Sequence, residues 1–134
     1  MRRYLIWINL IVLSCFYIGA GINHFWHPVA YIAIIPPYFP FHPFLVFLSG
    51  VIEIVLGVML FFSQFRKVAV ILIIMMLIAF IPVHVFMIQV GGCVTSTICI
   101  PLWLAWIRLF PLQFIFIWWA WKSYQWSKPQ LPGL

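Results

Sequence analysis

Acidic residues are almost absent. The 134-residue chain holds a single one, Glu53, and charged residues make up only 6% of it. A soluble domain carries roughly 25% charged residues, so this shortage excludes a soluble enzyme and a disordered tail. Cysteine is also scarce, with three in all, too few for a disulfide framework and without the spacing of a zinc motif. The seven basic residues stand singly or in pairs along the chain. A nucleic-acid footprint needs them clustered on one face, so the net charge of +6 points to no nucleic-acid partner. No segment repeats at a fixed period and none is of low complexity. What the chain has in abundance is apolar surface: 67% hydrophobic residues, 20% aromatics and a mean hydropathy of +1.21. These values describe an integral membrane protein in contact with lipid.

A membrane-spanning helix needs about 20 apolar residues, and residues 4–22, 44–62, 68–90 and 102–124 each supply such a stretch. They lack the alternation of an outer-membrane barrel and are too apolar all round for surface helices. The expected fold is all-α, a single four-helix transmembrane domain covering residues 1–134. Arg2 and Arg3 precede the first span, Arg66 and Lys67 fall in a short turn at 63–67, and Lys122 and Lys128 close the fourth. An up-down-up-down path places all six at one end, which the positive-inside rule assigns to the cytoplasm together with both termini. The expected location is therefore the inner (plasma) membrane, crossed several times. Val12-Leu13-Ser14-Cys15 faintly resembles a lipoprotein cleavage box. No polar spacer follows it, and the first span is expected to be retained.

The two outer connections differ. Residues 23–43 contain Pro28, Pro36, Pro37, Pro40 and Pro43, which forbid a long helix. Aromatics such as Trp26, Tyr31 and Tyr38 suit the headgroup level. This segment is expected to lie along the membrane surface with a short helix near 29–35. The second connection carries Cys93 and Cys99. Facing an oxidising compartment, the two are read as a structural disulfide, a redox-active pair or free thiols, and the sequence leaves the three open.

Polar residues inside the spans are expensive in hydrocarbon, so they carry the functional reading. Glu53 lies about 14 Å below the start of its span at 1.5 Å per residue. His84 is roughly 9 Å from the outer end, with Arg108 at similar depth and Gln113 deeper. Asn23 and His24 are expected to cap the outer end of the first span. This one-sided distribution predicts a polar cavity open to the outside. Gly50, Glu53 and Gly57 share one helix face, and its small residues admit a neighbouring helix. Cys15, Gly19 and Asn23 are expected to form a matching stripe on the first span. Pro82 is expected to bend the third span beside His84. Glu53 is read either as a buried acid paired with Arg108 or a histidine, or as a ligand-binding or proton-passing group. His84 suits proton transfer near neutral pH. His24, His27 and His42 read as interfacial groups. Imidazoles at 24, 27 and 84 would suit a metal, but no cysteine or carboxylate spacing supports one, and no metal is expected.

Gly21-Ile-Asn-His-Phe-Trp-His-Pro28, Phe39-Pro40-Phe41-His42 and Leu48-Ser-Gly-Val-Ile-Glu-Ile-Val-Leu-Gly57 resemble the DoxX-like family of small membrane proteins. Pro82-Val-His-Val-Phe-Met87 and Arg108-Leu-Phe-Pro-Leu-Gln113 are similar to it too, in the same order. The resemblance implies a four-helix inner-membrane bundle in which His24, Glu53, His84, Arg108 and Gln113 belong to a shared polar set. It also implies association with redox enzymes, although no fused soluble redox domain accompanies this chain. The leading expectation is a redox-linked subunit binding a quinone or other lipophilic ligand, in contact with membrane lipid and a redox enzyme partner. The alternative is a non-enzymatic assembly factor or chaperone for a partner protein. A transporter ranks lowest, since four short spans give no sign of the paired broken helices that build such sites.

Overall fold

A computed structural model describes residues 2–128. Met1 and residues 129–134 lie outside the described residues, and so do the chain ends that the charge pattern assigns to the cytoplasm. Seven helices follow in order: α1 (Arg2–Trp26), α2 (Pro28–Ala33), α3 (His42–Met59), α4 (Ser63–Ala79), α5 (Ile81–Gln89), α6 (Leu102–Leu109) and α7 (Leu112–Ser127). The pairs α4–α5 and α6–α7 continue one another, so four helical stretches are long and apolar enough to cross a membrane.

The helix ends correct several expected boundaries. α1 runs on through Trp26, so Asn23 and His24 lie within the helix and not at its cap. The tight turn falls at 60–62, and the next helix already begins at Ser63. Arg66 and Lys67 are therefore helical. Arg66 is buried and donates to the turn carbonyls of Leu60 at 2.8 Å and Phe61 at 3.1 Å, groups that are orphaned where α3 ends. α2 forms within the proline-rich connection, with Pro28 at its first position where a missing N–H costs nothing.

Packing differs between the two ends of the molecule. At the end bearing the 60–62 turn, α1, α3, α4 and α7 close a ring in which each packs on its two neighbours. Leu13, Leu56, Leu60, Val70, Ile73 and Ala120 form its core, each at most 2% exposed. Asn9 fastens α1 to α7, donating to Ser123 Oγ at 2.8 Å and accepting from Trp119 Nε1 at 2.8 Å. Ser14 fastens α1 to α3 by donating to the Gly57 carbonyl. At the other end the ring opens. Among the described residues, α5 packs on α6, but neither comes within packing distance of α1, α2 or α3.

Two breaks create this opening. Pro82 has no N–H for the Ile78 carbonyl, and the third span interrupts at Phe80. Pro111 has the same effect in the fourth span, where Phe110 turns extended between α6 and α7. Two neighbouring spans are thus each interrupted at a proline where they adjoin. Gln113 joins the breaks: its Nε2 donates to the Leu77 carbonyl in the last turn of α4. Beyond them, Cys93 and Cys99 are joined by a disulfide across a single antiparallel bridge. Gly92 at φ +85° lets the loop close, since a Cβ there would sit 2.2 Å from the Ile100 carbonyl.

Candidate functional site

α1 and α3 are antiparallel and unusually close, and that closeness builds the site. A Cβ on Gly21 would lie 2.6 Å from the Gly50 carbonyl, and one on Gly57 would lie 2.7 Å from the Ile18 side chain. The stripe on α1 is therefore Ser14, Tyr17, Gly21 and His24, in place of the expected Cys15, Gly19 and Asn23. Cys15 is exposed and nothing lies within 4 Å of a Cβ on Gly19. The face Gly50–Glu53–Gly57 does turn toward α1, and Glu53 is only 5% exposed.

Close approach brings Glu53 opposite His24, with Oε2 3.4 Å from Nε2. The imidazole is fixed from its other side: Nδ1 lies 2.9 Å from Ser49 Oγ and 3.2 Å from the Val46 carbonyl. The Ser49 hydroxyl donates to that same carbonyl at 3.0 Å. A carbonyl accepts only, and the serine proton is already committed, so the proton belongs on Nδ1. Nε2 then faces the carboxyl group, where two lone pairs would repel. One further proton is needed there, as a carboxylic acid donating to neutral imidazole or as imidazolium donating to carboxylate. Either way the pair is neutral overall, which is the tolerable state for two ionisable groups inside an apolar bundle.

The pair is incomplete. At 3.4 Å the Glu53–His24 contact is long, and Oε2 has no aligned hydrogen-bond partner although it is buried. The Tyr17 hydroxyl is likewise buried and unbonded. Tyr17, Gly21 and His24 follow at i, i+4 and i+7 on one helix face, so spacing from His24 would have found Tyr17 in the sequence. Above the pair, the Tyr31 ring stacks on His24 with centroids 3.8 Å apart. Asn23 donates to the Tyr31 hydroxyl at 2.7 Å, and exposed His27 contacts Asn23 Oδ1 at 2.9 Å. These contacts hold α2 over the site, with the Tyr31 ring lying against the imidazole. Tyr31 carried no such signal in the sequence, because it reaches the site only through the fold of the connection.

The remaining expected residues stand elsewhere. Arg108 is exposed on α6 and does not pair with Glu53; among the described residues the acid's one ion-pair partner is His24. The separation of α5 and α6 from α1 and α3 is the reason. His84 is half-buried on α5. It does not converge with His24 and His27, and no metal-holding cluster forms among the described residues. Gln113 is committed to the helix break. A groove of about 560 Å³ does lie over that break, and Gln113 is the one polar residue among walls such as Ile78, Ile81, Trp106, Phe110 and Phe114. This groove is not the polar cavity the sequence led us to expect.

The family described as Domain of unknown function (DUF8561) matches residues 13–124, and the chain belongs to it. No curated protein and no solved structure matches the chain.

Proposed function

We propose that this DUF8561 chain is a redox-linked subunit of the inner membrane that binds a quinone, or another lipophilic ligand with a hydrogen-bonding head, at Glu53 and His24. The observation carrying this reading is the buried Oε2 of Glu53, which faces His24 at 3.4 Å yet lacks an aligned partner. A buried polar atom left without a partner costs about 1–3 kcal/mol, and a ligand hydroxyl or carbonyl sharing the pair's proton would relieve that cost. A quinol hydroxyl would donate to Oε2, and a quinone carbonyl would accept the proton held between the two side chains. Tyr17, buried and unbonded beside them on the same face of α1, offers a second hydrogen bond. Tyr31, stacked on His24 and held by Asn23, covers the pair from the α2 side. Electrons would come from a partner redox enzyme in the same membrane. The motifs resembling DoxX-like proteins fall inside the matched region, residues 13–124, and support the same reading.

The test is mass spectrometry of lipophilic molecules retained by the protein purified from native membrane, wild type against Glu53→Gln and His24→Phe. It is paired with titration by a short-chain quinone followed through tryptophan fluorescence. Wild type should retain a quinone and bind the analogue, and both variants should lose binding by roughly tenfold or more, as loss of a charge-assisted hydrogen bond implies. Equal retention in folded variants would overturn the proposal.

A further inference from the structure

The segment that covers the candidate site is thinly anchored. α2 has six residues, none of them buried. A helix so short is marginal by itself, so α2 depends on what it touches. Among the described residues it packs on α1 and α3, the two helices that carry the pair, and on no other helix. A single residue, His27, joins it to α1. On the far side the chain passes buried Pro36 and enters α3 through Phe41 at φ +56°, a left-handed conformation that residues with a Cβ seldom hold.

Tyr31 is the hold of α2 on the site. Its half-buried ring lies on the His24 imidazole, with centroids 3.8 Å apart and planes 27° from parallel. Asn23 fixes the ring by donating from Nδ2 to its hydroxyl at 2.7 Å. Val29, on the other side of α2, is 71% exposed. Beneath the ring, His24 is 7% exposed and Glu53 5%. With its face occupied by Tyr31, the imidazole offers a ligand no open approach from this end. A segment with few buried apolar contacts opens locally at far less cost than the whole fold. Releasing one ring stack and one hydrogen bond uncovers the imidazole.

We propose that α2 is a lid on the Glu53–His24 site, latched by Tyr31, and that a ligand reaches the pair when this ring leaves the imidazole. It rests on the reading that the pair binds a ligand, and not on that ligand being a quinone. A fixed cover and a lid differ in one respect. A fixed cover needs only the bulk of the ring, whereas a lid also depends on the hydrogen bond that holds the ring down.

The test measures how fast dicyclohexylcarbodiimide labels Glu53 in the full-length protein in phosphatidylcholine nanodiscs. This apolar reagent adds whole to a protonated carboxyl group: the acid proton passes to one nitrogen, and the acyl group then migrates to the other as a stable N-acylurea. The adduct is read by mass, and no other acidic side chain competes. Asn23→Ala and Tyr31→Phe keep the ring and break the latch, and each should label roughly fivefold faster than wild type, as loss of one hydrogen bond implies. Tyr31→Ala loses the stack as well and should label roughly tenfold faster or more. Val29→Ala should match wild type. Thermal unfolding of each variant establishes that it is folded at the labelling temperature, and the two latch variants keep the test open if Tyr31→Ala is not. Labelling no faster than wild type in folded latch variants, including no labelling at all, would overturn the lid and leave Tyr31 a fixed cover. Equal acceleration by Val29→Ala would overturn it too. Faster labelling in the latch variants, with no protection of wild type by a short-chain quinone, would keep the lid and remove the quinone.

Discussion

Replacing His24 by phenylalanine leaves Glu53 buried without its partner, and the cost can be worked from the geometry. At 3.4 Å, opposite charges attract by about 5 kcal/mol at an effective dielectric constant near 20. Removing one member of a buried pair costs about 3–5 kcal/mol, because the other stays desolvated and unpaired. Phenylalanine keeps the ring that stacks on Tyr31, so the packing loss is small and the charge effect dominates. Glu53→Gln is milder, about 1 kcal/mol, since its amide still donates to Nε2 as the carboxylic acid would. Combining the two removes the unpaired acid, and the double variant should be more stable than His24→Phe alone. The assay is unfolding in mixed detergent micelles, followed by the intrinsic fluorescence of the eight tryptophans. Energies that simply add, within about 0.5 kcal/mol, would refute the pairing, because only uncoupled sites behave so.

Other substitutions probe the packing that holds the site. Gly21→Ala should destabilise by about 1–3 kcal/mol in the same assay, since its Cβ would meet the Gly50 carbonyl at 2.6 Å. Gly19→Ala, with nothing within 4 Å, should be neutral or gain up to about 1 kcal/mol from helix propensity; equal effects at the two glycines would contradict the close α1–α3 approach. Gln113→Leu removes one of two hydrogen bonds to the Leu77 carbonyl, which keeps the Phe80 N–H at 3.2 Å, and should cost about 1 kcal/mol, whereas an unchanged unfolding midpoint would remove Gln113 from the break. Reducing the Cys93–Cys99 disulfide, which closes a loop across a separation of six residues, should lower stability by about 2 kcal/mol on the loop-entropy estimate. Alkylation before and after reduction, read by mass, shows whether both thiols become available.

Much of the helical architecture was legible because four segments are apolar along a length that would cross a membrane. That pattern locates the helices but blurs their ends. Arg66 and Lys67 looked like turn residues only because charge is usually excluded from spans, and the hydrogen bonds that bury Arg66 on the Leu60 and Phe61 carbonyls have no local signature. Prolines gave a truer signal: Pro82 and Pro111 each mark a break. That the breaks adjoin, with Gln113 reaching Leu77, depends on how two spans pack and was not readable along the chain. Of the site, the acid and its helix face were legible from the spacing of Gly50, Glu53 and Gly57. The partner was not, because choosing His24 over Arg108 requires knowing that α5 and α6 stand away from α1 and α3.

That separation bears on why the polar groups collect where they do. A four-helix ring packed along its full length would bury Glu53, His84 and Arg108 together, and a net positive cluster would remain in the core. Instead, the terminal half of the bundle is closed by apolar packing and by a few neutral pins such as Asn9 and Ser14. The other half keeps the charged groups apart: Glu53 and His24 face each other between α1 and α3, whereas His84 and Arg108 stand on α5 and α6. The Glu53–His24 pair is tolerable among apolar side chains because the two share a proton and carry no net charge.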